Sequence, residues 1–214
     1  MELIDEIKIV NGVGKISITI SNGGKVTLKH SKDVNKRAIE SFVNSKSEWI
    51  RKHKDDKLKS IMLNKDLVEY KSIKIYGNDY KIEKSKRNNI INKTIHYTSM
   101  KNLRNLISEI ANAKLLEKID KYQKMINVKT ADVMWDNSKT RWGVCTSKKV
   151  VKINIRSVML PEYLFDYIII HELCHLIHFN HSQKFWQEVE KYCPEFKQYK
   201  QDIKTYSFLF ELYR

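Results

Sequence analysis

A chain of 214 residues, 42% hydrophobic and 30% charged, has apolar material for one sizeable core or two small ones, which excludes a disordered polypeptide. Its uninterrupted apolar runs fall far short of the roughly 20 residues a membrane helix needs, which excludes a transmembrane protein. The formal charge of +15 is uneven: residues 1–160 carry a net +17 and residues 161–214 a net −2, so attraction for polyanions such as nucleotides or nucleic acid belongs to the first three quarters.

Three cysteines, Cys145, Cys174 and Cys193, form an odd set that points to reduced thiols rather than a disulfide framework. The opening MELIDEIKIV has acids where a secretory signal has a basic region and an apolar run, so a cytoplasmic location is expected.

The first elements alternate apolar and polar residues: Ile7 to Val10, Lys15 to Ile20 and Lys25 to Leu28, separated by Asn11-Gly12 and Asn22-Gly23-Gly24. This predicts three strands in an antiparallel meander. From Asp33, a candidate N-cap, Val34, Ala38, Phe42, Val43, Trp49 and Ile50 recur at helical spacing, which predicts one long helix. Short strands follow around Ile73 to Tyr76, Tyr80 to Ile82 and Ile90 to Tyr97, with a turn at Gly77-Asn78. Lys101 to about Met125 repeats Leu103, Leu106, Ile107, Ile110, Leu115 and Ile119, an amphipathic helix. Asp132 to Trp135 and Val150 to Ile155 predict a strand pair, and Pro161 opens a helix that runs into His171. The expected fold class is α+β: a mixed region of strands plus helix over 1–100, then a helical domain with a small antiparallel sheet over 101–214.

Chemistry concentrates in Ile168-Ile169-Ile170-His171-Glu172-Leu173-Cys174-His175. Histidines four apart on a helix differ by about 40° in direction and 6 Å in rise, so both imidazoles reach one ion. Neutral imidazole suits Zn2+, three protein ligands leave a position for water, and Glu172 stands where it can take that water's proton. The third ligand is His178 or His181. On a continuing helix His178 would sit about 10 Å in rise from His171, too far for one ion. His181 reaches the ion only if the helix stops first, and Asn180 is the expected stop and the expected cap of a following helix, with Gln183 in the capping-box position. His181 is therefore the chosen third ligand. Cys174 points away from the ligand direction and reads as core, as do Phe185 and Trp186.

Arg141-Trp142-Gly143 with Cys145, Lys152-Ile153-Asn154, Pro161-Glu162, the His171 to Leu176 string, and Asn180-His181-Ser182 leading to Phe185-Trp186 together resemble the YgjP-like family of zinc metallopeptidase-type proteins, relatives of the SprT-like and WLM zincins. The likeness covers residues 135–204 closely and the whole chain loosely, with Val144 standing where the family carries a serine. The resemblance implies a zincin-like domain with zinc on His171, His175 and His181 and Glu172 as catalytic acid or base. Arg141 either binds a substrate carboxylate or phosphate through its planar fork of donors or pairs with an acid such as Asp136.

The leading expectation is hydrolysis of peptide or protein substrates, with the peptide laid along the strand at Val150 to Ile155. Two alternatives stay open: hydrolysis of a nucleotide phosphoanhydride held by the basic surface and Arg141, and a DNA-associated zinc protein acting on bound proteins.

Overall fold

A computed structural model describes residues 2–21, 23–63, 69 and 71–212. The chain divides into two compact units, Met1–Lys65 with Ser207–Glu211, and Asp66–Tyr206 with Leu212–Arg214. The soft boundary read near residue 100 falls within the second unit. The expected α+β class is what the chain adopts, and no described helix is long and apolar enough to cross a membrane.

The first unit contains β1 (Glu6–Val10), β2 (Ile16–Ile20), β3 (Val26–Ser31), α1 (Lys36–Ser45) and α2 (Ser47–Leu63). The strands do not form a meander. β3 takes the centre, antiparallel to β2 and parallel to β1. It is the most buried of the three, with Val26, Leu28 and Ser31 at 0% exposure, whereas β2 alternates between half-buried and exposed residues and the middle three residues of β1 are exposed. The single helix expected from Asp33 is two helices broken at Lys46, whose N–H reaches the carbonyls of Phe42 and Val43. Asn35 rather than Asp33 caps α1, accepting from the N–H of Ala38 at 2.9 Å, because Asp33 accepts from Gly14 N–H at 2.7 Å. The break leaves Ile50 buried and Trp49 exposed, out of the shared face assigned to it. Val26, Leu28, Ile39, Val43 and Ile50 form its hydrophobic cluster.

The second unit opens with β4 (Ser72–Ile75), β5 (Asn78–Lys84), β6 (Asn89–Ile91) and β7 (Thr94–Tyr97), in the order β4-β5-β7-β6. The single strand expected over Ile90 to Tyr97 is a hairpin: Asn92 and Lys93 both take positive φ, 49° and 58°, as a tight two-residue turn requires, and no glycine signals it. α3 (Met100–Ile126) runs close to its predicted length, capped by Ser99 and ended by Asn127 in the left-handed conformation at φ 58°. Its inward face also carries Lys118, whose Nζ reaches Glu162 at 2.5 Å and Asp166 at 2.6 Å on the next helix, α4 (Glu162–Cys174).

Between α3 and α4 lies a mixed sheet, β8 (Asp132–Asp136), β9 (Gly143–Cys145) and β10 (Val150–Asn154), where an antiparallel one was expected. β10 is central, parallel to β8 and antiparallel to β9. The connection after β8 supplies β9, and Asn154 pins that connection by donating from Nδ2 to the carbonyls of Ser138 and Arg141 at 2.8 and 2.9 Å. α4 is apolar nearly all round, with Leu164, Phe165, Ile168, Ile169, Leu173 and Cys174 each at most 3% exposed. Such a helix must sit inside its unit, and α3, β9, β10, α5 (Gln183–Tyr192) and α6 (Phe196–Thr205) pack around it.

Candidate metal centre

His171 and Glu172 occupy the last turn of this buried helix, and His175 is its C-cap, still helical at φ −65° and ψ −16°. The i, i+4 pair therefore shares a face, with ring centroids 5.0 Å apart. The helix ends at Cys174, six residues before Asn180, the expected stop. Leu176 and Ile177 donate their N–H groups three residues back, to Leu173 and Cys174, which tightens the chain out of the helix. Asn180 is not left-handed, and the cap of α5 is Ser182, whose Oγ accepts from Phe185 N–H at 3.4 Å; Asn180 Oδ1 accepts from Ser182 N–H at 3.3 Å.

The early stop brings His181 back. His181 Nε2 lies 3.0 Å from His171 Nε2, and one ligand atom from each of His171, His175 and His181 falls within 4.8 Å of the others. His178 does not join this group with its side chain. Its backbone carbonyl accepts from His175 Nδ1 at 3.0 Å, which leaves Nε2 of His175 as the lone-pair nitrogen. Burial pushes the His171 imidazole down to about 3, helped by its neighbours His175 and His181, and lowers His175 and His181 as well. Three neutral, converging imidazoles are the donor set a divalent metal takes, and nitrogens each roughly 2 Å from one ion are near neighbours of one another, as these are. The residues fit a metal ion.

Glu172 lines the same cavity, of about 440 Å³, together with Arg141, Trp142, Val144, Tyr167, Ile168, Phe179 and Ile203. Burial pushes its carboxyl up to about 8, while a hydrogen bond from the Cys145 backbone and the charge of Arg141 act against the rise. A Cβ at Gly143 would stand 2.6 Å from Glu172 Cγ and 2.7 Å from Oε1, so β9 can lie this close to α4 only where it has no side chain. Gly143 stands in the Arg141-Trp142-Gly143 string of the resemblance, but its contact with Glu172 depends on a three-residue strand that no alternation announces; once β9 is in place, a glycine within it marks a close approach.

Arg141 lines the cavity and pairs with Asp136 through Nε at 3.4 Å, its side chain 54% exposed. Phe185 is fully buried and packs on all three imidazoles, while Trp186 stacks on His181. Both were expected only as core.

Among curated proteins none matches this chain. A solved structure described as the metallopeptidase zymogen of Pyrococcus abyssi abylysin is 26% identical, covering 42% of this chain and 90% of that one, with a TM-score of 0.39. The model of the YgjP-like family, a metallopeptidase domain, matches residues 14–206, nearly the whole chain. The chain belongs to the YgjP-like metallopeptidase family.

Proposed function

We propose that this protein is a zinc-dependent peptidase whose second unit holds Zn2+ on His171, His175 and His181, uses Glu172 as general base and acid, and contacts substrate through Arg141. The observation that carries the reading is the convergence of three imidazoles beside a carboxyl group that lines the same cavity. Zinc suits a set of three histidines, and when bound it polarises a carbonyl oxygen and acidifies water.

The chain's own residues then account for the proton traffic. Glu172 takes a proton from the water attacking the peptide carbonyl carbon and delivers it to the departing amine as the C–N bond breaks. Its burial raises the proton affinity that this exchange requires. Gly143 leaves room for the carboxyl, and the Cys145 backbone N–H orients it.

The strand at Val150 to Ile155, expected to receive the peptide, is paired on both sides and has no free edge. Of the two edge strands, β8 and β9, only β9 has residues lining the cavity, and we assign main-chain binding of the substrate to it. The walls formed by Trp142, Val144, Tyr167, Ile168, Phe179 and Ile203 suit an apolar side chain beside the scissile bond. Arg141 is the single lysine or arginine among the lining residues, which favours a peptide over a phosphoanhydride, whose transition state needs several cationic clamps. Incubating the zinc-loaded protein with unstructured peptides and, in parallel, with nucleoside triphosphates tests this. Cleavage of peptides alone is expected, and turnover confined to triphosphates would overturn it.

A further inference from the structure

A histidine that binds a metal through one nitrogen normally donates from the other to a carbonyl or carboxylate, which fixes its ring. His175 does so, to the His178 carbonyl. His171 does not: its Nδ1 is buried without a hydrogen-bond partner. The hydrogen bond of His181 runs to His171 Nε2, between the two nitrogens that face each other, and so cannot brace the pair from outside.

Aromatic rings surround these two histidines instead. Phe185 lies 4.9 Å from His171, 4.4 Å from His175 and 4.9 Å from His181 between ring centroids, stacked on His175 at 23° and edge-on to the other two. Trp186 stacks on His181 at 5.4 Å and 20° and contacts His171 at 5.7 Å. Trp186 is itself held, by Phe196 stacked at 5.3 Å and 13° and by Lys200 Nζ 4.2 Å over its ring.

The start of α5 explains how a short stretch of sequence achieves this. With Ser182 as N-cap, His181 is the residue before the cap and Trp186 the fourth residue of the helix, the two positions that an apolar staple joins across a helix start. Ser182 closes the turn by accepting from Phe185 N–H. One capping turn thus presents a ligand, His181, and the two rings that pack on the ligand set.

Resting on the zinc-site reading, we infer that Phe185 and Trp186 are positioning residues for the metal, ring packing at His171 and His181 standing where hydrogen bonds stand at other metal-binding histidines. Zinc affinity by chelator competition and the visible spectrum of the cobalt-substituted protein test this in Trp186→Leu, Trp186→Phe, Phe185→Leu and Ser182→Ala, with thermal melting to verify folding. Trp186→Leu and Phe185→Leu are expected to weaken zinc binding by roughly 10- to 100-fold, the range for losing a residue that orients a ligand, and to alter the cobalt bands. Trp186→Phe, which keeps a ring, stays near wild type, and Ser182→Ala falls between. Should Phe185→Leu or Trp186→Leu fail to fold, Ser182→Ala, at an exposed cap, decides. Folded variants that match wild type in affinity and spectrum would overturn the positioning role alone, whereas wild type that takes up no metal would overturn the zinc reading and this inference together.

Discussion

The two units bury different things. The first buries apolar side chains, the cluster Val26, Leu28, Ile39, Val43 and Ile50 and, in its carboxy-terminal segment, Phe208, Leu209 and Phe210, and Ser31 is its one buried polar residue among those described. The second unit buries Lys118, Asn154, Arg156, Ser157, Glu172 and His175. Burying ionisable groups costs stability unless each finds a partner. Lys118 has two carboxylates, and Arg156 has Asn137, Asn154 and the Leu212 carbonyl. Glu172 has one backbone donor and, among the described residues, no ion pair, only the more distant charge of Arg141, and that imbalance marks the chemical site more sharply than the overall charge does.

The comparison is broken most directly at Glu172. Glu172→Gln keeps the shape and removes the proton acceptor, so peptide hydrolysis by the zinc-loaded protein should fall by roughly 10²- to 10⁴-fold while metal content holds. Unchanged turnover would remove Glu172 from the reaction. Gly143→Ala drives a Cβ into the Glu172 carboxyl and should lower activity by about 10²-fold, the scale of an ångström-sized misplacement of a catalytic group, with zinc affinity retained. A glycine needed only for backbone conformation would give a folding defect instead.

Stability probes sharpen the contrast between the units. Leu28→Ala in the first should cost about 2–5 kcal/mol in urea unfolding, a plain cavity effect, with zinc uptake by the folded protein unaltered. Lys118→Met in the second should cost about 1–3 kcal/mol, between an exposed ion pair and a fully buried one, since Glu162 remains largely exposed. That cost should depend on pH. Lys118 and Lys114 hold the Glu162 carboxyl below its ordinary value of 4.5, so the ion pair stabilises the fold above that pH and loses its effect as pH falls through the lowered value. The gap between wild type and Lys118→Met should therefore narrow in acid, and a gap independent of pH would show that Lys118 acts by packing. Arg141→Ala should have the smallest effect on the fold, under about 1 kcal/mol, because a half-exposed single contact to Asp136 contributes little; a rise in KM for peptides with zinc content unchanged would mark its role with substrate.

Much of this was legible in the chain. Repeated spacing located α3 and the buried helix α4, and the four-residue separation of His171 and His175 with the third histidine ten residues on picked out the group that converges in space. What stayed hidden depended on pairing partners distant in sequence. Strand alternation marks a strand but says nothing about its neighbour, so β1 beside β3 and the mixed sheet around β10 could not be read from it. Local capping was misassigned by two residues, Asn180 for Ser182, since both types cap helices and the choice rests on where the preceding helix ends. The β6–β7 hairpin lacked the glycine that usually announces such a turn.

The most direct test is elemental analysis of purified protein loaded with zinc and freed of excess by gel filtration, for wild type and for His171→Ala, His175→Ala and His181→Ala. One zinc per chain in wild type, lost in each variant that still folds, is the result this account predicts. Full occupancy in a folded His181→Ala protein, or none in wild type, would contradict it.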